Sequence, residues 1–194
     1  MTAFSTPCLK KRISAFLATL AFALASIVPI TVLAEGISVK HAELVANEEW
    51  YYLNTDFNVG LTPALEEALS KGISLNFILE FELTRSRWYW LDESIASVRQ
   101  NLRISYHALT RQYHFSGNSG NKAFNTLTEA KDELSRVWDW KVLDRNLLKK
   151  GTSYNAAVRM RLDVKQLPKP LQVEALGSKD WDLASERHRF NITP

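Results

Sequence analysis

Apolar and polar residues alternate along much of the chain with a period of two residues. The clearest row runs from Leu75 to Leu83, where apolar side chains recur at every second position and Asn76, Glu80 and Glu82 lie between them. A period of two is typical of a strand that buries one face and exposes the other to water. Other rows of the same kind occur at residues 37–41, 51–59, 98–107, 113–115 and 154–163. With a last strand ending at Phe190, the pattern predicts six or more strands.

Two short helices are predicted between the strands. The first covers Pro63 to Lys71, because Thr62 suits the N-cap and Gly72 suits the stop. The second covers Glu129 to Trp138, with Thr128 as its N-cap and apolar residues at helical spacing on one face. Both helices are short, so they interrupt the strands without changing the dominance of β structure.

Many strands, short turns and few helices set the fold class. They favour a mainly β domain, an antiparallel β-sandwich with two short helices. The alternative is an α+β fold, in which an antiparallel sheet carries the helices on one face, and the pattern fits both. No internal repeat or long linker interrupts residues 35–194, which are predicted to form a single mainly-β domain. A chain of this length buries roughly 70% of its unfolded surface, enough for a sizeable core.

The first 34 residues have the three parts of a secretory signal peptide. Three consecutive cations at residues 10–12 precede an apolar run that continues to Val28, and the segment ends in small side chains at Ala34. We therefore predict a signal peptide over residues 1–34, cleavage near Ala34 and a periplasmic or secreted protein. The alternative is an uncleaved leader, since residues 13–34 are long enough to cross a bilayer and would anchor the protein in the inner membrane.

Charge and cysteine content exclude several classes of function. The three cations of the leader account for the whole formal charge of +3, so the predicted mature domain is neutral. Nucleic-acid binding relies on long-range attraction between cations and phosphates. Because a neutral domain lacks this attraction, we expect no nucleic-acid binding. The single cysteine, Cys8, lies in the leader, which excludes a disulfide framework and thiol catalysis in the mature domain. Glycine-rich phosphate motifs and a nucleophile elbow are also missing from the sequence, and no cofactor is predicted.

Glu80 and Glu82 are the candidate catalytic residues. They share one face of a predicted strand, roughly 7 Å apart at their Cα atoms, and paired carboxylates at such separations can cleave glycosidic bonds. The competing interpretation is a salt-paired strand face, because a hairpin with the next strand would place Arg99 and Arg103 on the same face as the glutamates. The alternation that defines the strands also places these charges, so the pattern favours the salt-paired face.

Arg85, Arg87, Trp88, Tyr89 and Trp90 form the densest cluster of cations and aromatic rings in the sequence. Exposed Trp and Tyr anchor partners or stack on sugars, and Arg binds carboxylates or phosphates with two hydrogen bonds. The alternative is that the tryptophans share one face of a strand and close the end of the core. We treat the cluster as the candidate binding site.

The histidines are the residues to consider for a metal. His107 and His114 flank a short turn and would approach each other across a hairpin, with His41 or His188 as a third ligand. No dedicated ligand spacing such as H-E-x-x-H occurs, and no carboxylate lies beside them. Polar surface histidines are therefore expected, and no metal site is predicted.

Four stretches of the sequence carry a resemblance to a known family. They are LEFELTRSRWYWLDE (Leu79 to Glu93), LRISYHALTRQYHF (Leu102 to Phe115), YNAAVRMRLDVKQLPKPLQVEAL (Tyr154 to Leu176) and DWDLAS (Asp180 to Ser185). Together with the leader they resemble an uncharacterised family of exported bacterial proteins, the domain of unknown function 4390. The resemblance implies no activity, cofactor or catalytic residue. It implies an accessory role in the envelope or in signalling, since members are often encoded beside a two-component nitrogen-sensing kinase.

Three hypotheses on function follow from the sequence. The first is a non-catalytic periplasmic module that binds an envelope or signalling protein through the arginine and aromatic cluster. The second is a cell-wall glycan hydrolase that uses Glu80 and Glu82. The third is a structural module that an uncleaved leader, residues 13–34, attaches to the membrane. The expected partner is another envelope protein in the first case, and the membrane is contacted only through an uncleaved leader.

Overall fold

Two antiparallel β-sheets with short helices make up the described part of the chain, which is residues 36–89 and 91–194 of a computed structural model. The predicted signal peptide over residues 1–34 and the candidate binding residue Trp90 lie outside the described residues.

The strands and helices are numbered in chain order. The strands are β1 (Gly36–Ala46), β2 (Trp50–Gly60), β3 (Leu75–Arg85), β4 (Glu93–His107), β5 (Gln112–Gly117), β6 (Gly120–Phe124), β7 (Arg136–Asp144), β8 (Tyr154–Leu162) and β9 (His188–Ile192). The α-helices are α1 (Pro63–Ser70), α2 (Leu127–Ser135) and α3 (Lys169–Ala175). Strands β1, β2 and β7 form a small sheet in that order, and a large sheet has the order β6-β5-β4-β3-β8-β9.

The two sheets share one hydrophobic core. The fully buried side chains of the central strand β3 are Leu75, Phe77, Leu79, Phe81 and Leu83. Alternate residues of β2 bury against the same core from the small sheet, and helices α1 and α2 add further apolar side chains. Each large apolar side chain removed from water contributes roughly 1.5–3 kcal/mol. The predicted mainly β, antiparallel fold is confirmed, and two sheets build its core.

Helix α1 follows the predicted signals. The side chain of Thr62 accepts a hydrogen bond from the backbone N–H of Leu65, and Pro63 occupies the first turn. Gly72 adopts a left-handed φ of 86° just after the helix, a conformation that glycine adopts without steric penalty. The N-cap and the stop were therefore predicted at the right residues.

Helix α2 differs from the prediction at both ends. Its N-cap is Thr126 rather than Thr128, because the Thr126 hydroxyl accepts a hydrogen bond from the backbone N–H of Glu129. The Glu129 carboxylate accepts one in turn from the backbone N–H of Thr126, which completes a capping box. The helix ends at Ser135 instead of Trp138, and the residues that follow form strand β7, which was not predicted.

Strand β7 occupies an edge of the small sheet, paired with β2. Val137 and Trp140 are buried, but the alternation between them is broken by the left-handed residue Asp139, whose φ is 55°. Two register shifts in the β2–β7 ladder accompany this irregularity. A strand with such a bulge loses the clean period of two, which explains why its sequence was interpreted as the end of a helix.

Helix α3 was not predicted either. It is one of the shortest elements, and none of its residues is fully buried. Pro168 precedes it and supplies no side-chain cap, so the helix carries few of the signals that identify a helix in a sequence.

Candidate binding site

The loop that joins β3 to β4, residues 86–92, carries the most exposed aromatic side chain of the described residues. Trp88 is 95% exposed, and the neighbouring Tyr89 and Leu91 are 64% and 80% exposed. The Trp88 and Tyr89 rings meet edge to face, with centroids 5.2 Å apart. Trp88 therefore lies in solvent, and the interpretation that it closes the end of the core is wrong. We call residues 86–89, 91 and 92 the hairpin loop.

Two arginines at the base of the hairpin loop bind one carboxylate. Arg87 Nη2 lies 2.7 Å from Glu93 Oε2, and Arg85 donates to the same oxygen. The hydrogen bond from Arg87 holds the pKa of Glu93 below its ordinary value; burial opposes the shift, and Arg85 reinforces it. The same contact raises the pKa of Arg87. Both candidate arginines thus fix the base of the loop, so the side chains most open to a partner are Trp88, Leu91 and Tyr89.

Glu80 and Glu82, the candidate catalytic pair, each lie against arginine. The Glu80 side chain is 11% exposed, and its Oε1 lies 3.1 Å from Arg161 Nη2 and 3.4 Å from Arg99 Nε. Glu82 Oε2 lies 2.6 Å from Arg187 Nη1. This is the geometry of a salt-paired strand face, in which both candidate carboxylates contact arginine.

Arg103 lies on the same face as the glutamates but contacts another residue. It lies opposite Asn76 in the β3–β4 ladder and donates from Nε to Asn76 Oδ1 at 2.8 Å. It follows Arg99 by four positions on β4, so its side chain lies in a different row of the ladder. Arg99 and Arg103 therefore both lie on the face of the glutamates, as predicted, but only Arg99 lies directly opposite a glutamate, Glu80.

An open concavity of about 600 Å³ lies between the base of the hairpin loop and the last strand. Its lining includes Asp92 from the loop, Glu82 from β3, and Arg187 and Arg189 from the C-terminal segment. Sequence reasoning did not place this segment beside β3. The contact depends on pairing between β3, β8 and β9, which lie far apart in the chain and leave no local pattern.

The four histidines do not converge on one site. The rings of His107 and His114 lie 5.9 Å apart across the β4–β5 hairpin, as their spacing predicts. His41 lies on the small sheet and His188 on β9. Within residues 36–89 and 91–194, no group of three or more His, Cys, Asp or Glu side chains is arranged to hold a metal ion.

Comparisons with known proteins add the family to this description. No curated protein and no solved structure matched the chain. None of the helices formed by the described residues is both long and apolar enough to cross a membrane. A family model described as Domain of unknown function (DUF4390) matches residues 34–191. The match covers most of the chain and confirms the resemblance to this domain of unknown function: the protein belongs to the DUF4390 family.

Proposed function

We propose that this protein is a non-catalytic binding module of the bacterial envelope that docks on another envelope protein through the hairpin loop. The observation that carries the proposal is the exposure of Trp88, with Tyr89 and Leu91 beside it, at the tip of a long two-stranded hairpin. Large aromatic side chains left in water are the residues that most often anchor protein interfaces.

The energetics of the loop suit docking. Each large aromatic residue buries roughly 150–250 Å² at an interface, which at about 25 cal/mol per Å² amounts to several kcal/mol for the pair. The ion pairs of Arg85 and Arg87 with Glu93 hold the base of the loop before any partner arrives. A loop that is already ordered loses less conformational entropy on binding than a flexible loop does. Trp88 and Tyr89 would therefore contribute binding free energy, and Arg85 and Arg87 would hold the loop in its binding conformation.

The glycan-hydrolase alternative receives less support from the geometry. Glycoside hydrolysis needs one carboxylic acid and one carboxylate, both facing the scissile bond. Here Glu80 is held by Arg161 and Arg99, and Glu82 is held by Arg187. Both carboxylates are engaged within the fold.

The partner test is photo-crosslinking in cells. A photoreactive phenylalanine analogue replaces Tyr89 in one version of the protein and Leu109 in a second, matched version. Leu109 is 92% exposed in the turn between β4 and β5, at the opposite end of the same strand. We expect a discrete adduct with one protein from position 89, lost in the Trp88→Ala background, and none from position 109. Equal adducts from both positions, or none from position 89, would contradict the docking proposal.

Export is tested separately by sequencing the N-terminus of the protein recovered from cells. We expect the mature chain to begin at Glu35, after cleavage at Ala34, and to be released with the periplasmic fraction. A chain that retains residues 13–34 and stays with the membrane would favour the membrane-anchored structural module instead.

A further inference from the structure

The face of the large sheet that points away from the core is rich in arginine. We call this surface the outer face. Its central positions are Asn76, Ile78, Glu80, Glu82 and Thr84 of β3 and Ser97, Arg99, Asn101 and Arg103 of β4. They continue with Asn155, Ala157, Arg159 and Arg161 of β8 and with Arg189 and Asn191 of β9. Arg187, just before β9, also reaches this face, where it binds Glu82. Six arginines thus share the surface with two glutamates.

The internal contacts of the outer face leave most of this positive charge in place. Glu80 and Glu82 neutralise two charges, while Arg103 donates to the amide oxygen of Asn76 and Arg159 to the backbone oxygen of Ser185. Neighbouring strands lie roughly 4.8 Å apart, well within a screening length of about 8 Å at physiological salt. The charges therefore act together, although the sequence after the leader is neutral as a whole.

Guanidinium groups, rather than ammonium groups, supply this charge, and they already bind carboxylates here. Arg187 meets Glu82 at 2.6 Å, and Arg161 meets Glu80 at 3.1 Å. Arg presents a planar set of donors that matches a carboxylate with two hydrogen bonds, which Lys does not. The Arg99 side chain is 67% exposed, so most of it is open to a partner.

The residues between the arginines argue for a peptide. At the central positions of the outer face they are Asn, Ser, Thr, Ala and Ile, and none of these described positions holds Trp, Tyr or Phe. Proteins that bind single-stranded nucleic acid or sugars use aromatic rings as stacking surfaces. Serine and asparagine instead suit hydrogen bonds to peptide groups and to carboxylates.

The spacing of the arginines matches an extended chain. Arg159 and Arg161 lie two residues apart on β8, roughly 7 Å between Cα atoms. An extended acidic segment presents alternate side chains on one side at the same interval. Arg99 and Arg189 widen the cationic surface by lying on β4 and β9, on either side of the β3–β8 pair. Such a segment would run along the sheet toward the concavity beside the hairpin loop.

We propose that the outer face binds an extended acidic segment of a partner protein through Arg99, Arg159, Arg161 and Arg189. This proposal deepens the proposed function by naming the chemistry of the partner, and it rests on that function only for the partner's identity. The hairpin loop would bind the apolar part of the partner, and the outer face would bind its carboxylates.

The test uses a fluorescent Glu-Ser repeat peptide of about ten residues, which spans roughly 33 Å when extended. Fluorescence anisotropy measures its binding to the wild-type protein, to Arg99→Ala/Arg189→Ala, and to a control, Lys40→Ala/Lys169→Ala. Both control lysines are exposed and lie outside the outer face, on β1 and α3, so the control loses the same charge. We expect the outer-face variant to bind about tenfold more weakly and the control to stay within about twofold.

Equal weakening of both variants would overturn the proposal, because it would indicate only a response to net charge. Tighter binding of a sulfated glycan, a single-stranded oligonucleotide or an anionic vesicle than of the peptide would overturn the acidic-peptide assignment. The peptide test and the crosslinking test distinguish the outer-face proposal from the hairpin-loop proposal. No peptide binding with a persistent crosslink at position 89 contradicts the outer face alone, and the reverse result contradicts the hairpin loop alone.

Discussion

The two faces of strand β3 are built by neighbouring residues and have different properties. Phe81 points into the core and is completely buried, while the next residue, Glu82, points outward and is one-third exposed. The inner face is closed on every side by apolar side chains, whereas the outer face is held by ion pairs in contact with water. Stability therefore concentrates on the inner face, whereas substitutions on the outer face and in the hairpin loop should cost less.

The largest expected effect is on the inner face. Phe81→Ala should lower the free energy of unfolding by about 3–5 kcal/mol, because it leaves a cavity in a fully packed region. Glu82→Ala, one residue away, should cost no more than about 1 kcal/mol, since it removes a partly exposed ion pair. Urea unfolding of the two variants measures the difference, and similar losses would erase the distinction between the faces.

A glycine at the edge of the large sheet tests how tightly the inner face is packed. A Cβ at Gly117 would lie 2.5 Å from Cζ of Phe115 and 2.9 Å from Cδ2 of Leu102, and both side chains are buried. Gly117→Ala should therefore destabilise the protein by about 1–3 kcal/mol. Gly177→Ala is the matched control, because its Cβ would meet only an ordinary contact at 3.7 Å. Thermal unfolding separates the two, and a Gly117→Ala variant as stable as its control would contradict tight packing at this edge.

Helix α2 packs against the inner face through Ala130 and Leu134, and its N-cap should make a smaller contribution to the free energy of unfolding. Thr126→Ala should lower the free energy of unfolding by about 1 kcal/mol, because it removes the capping box with Glu129. Thr128→Ala lies inside the first turn and should change stability by less than about 0.5 kcal/mol. The reverse order in chemical denaturation would restore Thr128 as the cap.

Acidification should loosen the hairpin loop without unfolding the inner face. The pKa of Glu93 is lowered in the folded protein, so its stabilising contribution is present above the unfolded pKa and is lost as the pH falls through the folded pKa. The carboxyl signal of Glu93 in NMR should titrate below the usual range of glutamate. In Arg87→Ala it should shift back toward that range, because the first contact that lowers its pKa is removed. An unchanged midpoint in Arg87→Ala would contradict this assignment.

Local patterns were enough to predict the elements whose residues are neighbours in the chain. The alternation of β3 and β4 predicted the hairpin and placed Arg99 and Arg103 on the face of the glutamates, and the Thr62, Pro63 and Gly72 signals predicted helix α1. These features depend on the period of the backbone and on turn chemistry alone.

Other features depend on contacts between distant parts of the chain. The partners that β8 and the C-terminal segment supply to Glu80 and Glu82 follow from long-range strand pairing. Strand β7 was missed because Asp139 breaks its alternation. The exposure of Trp88 was not predictable, since a period of two assigns side chains to faces within a strand and says nothing about a loop.

The central claim is that Trp88 and Tyr89 are reserved for a partner and contribute little to the fold. Urea unfolding of Trp88→Ala/Tyr89→Ala tests it most directly. The account predicts a free energy of unfolding within about 0.5 kcal/mol of the wild type, as for surface substitutions that touch no core side chain. A loss of about 2 kcal/mol or more would place these rings in the folded core and contradict it.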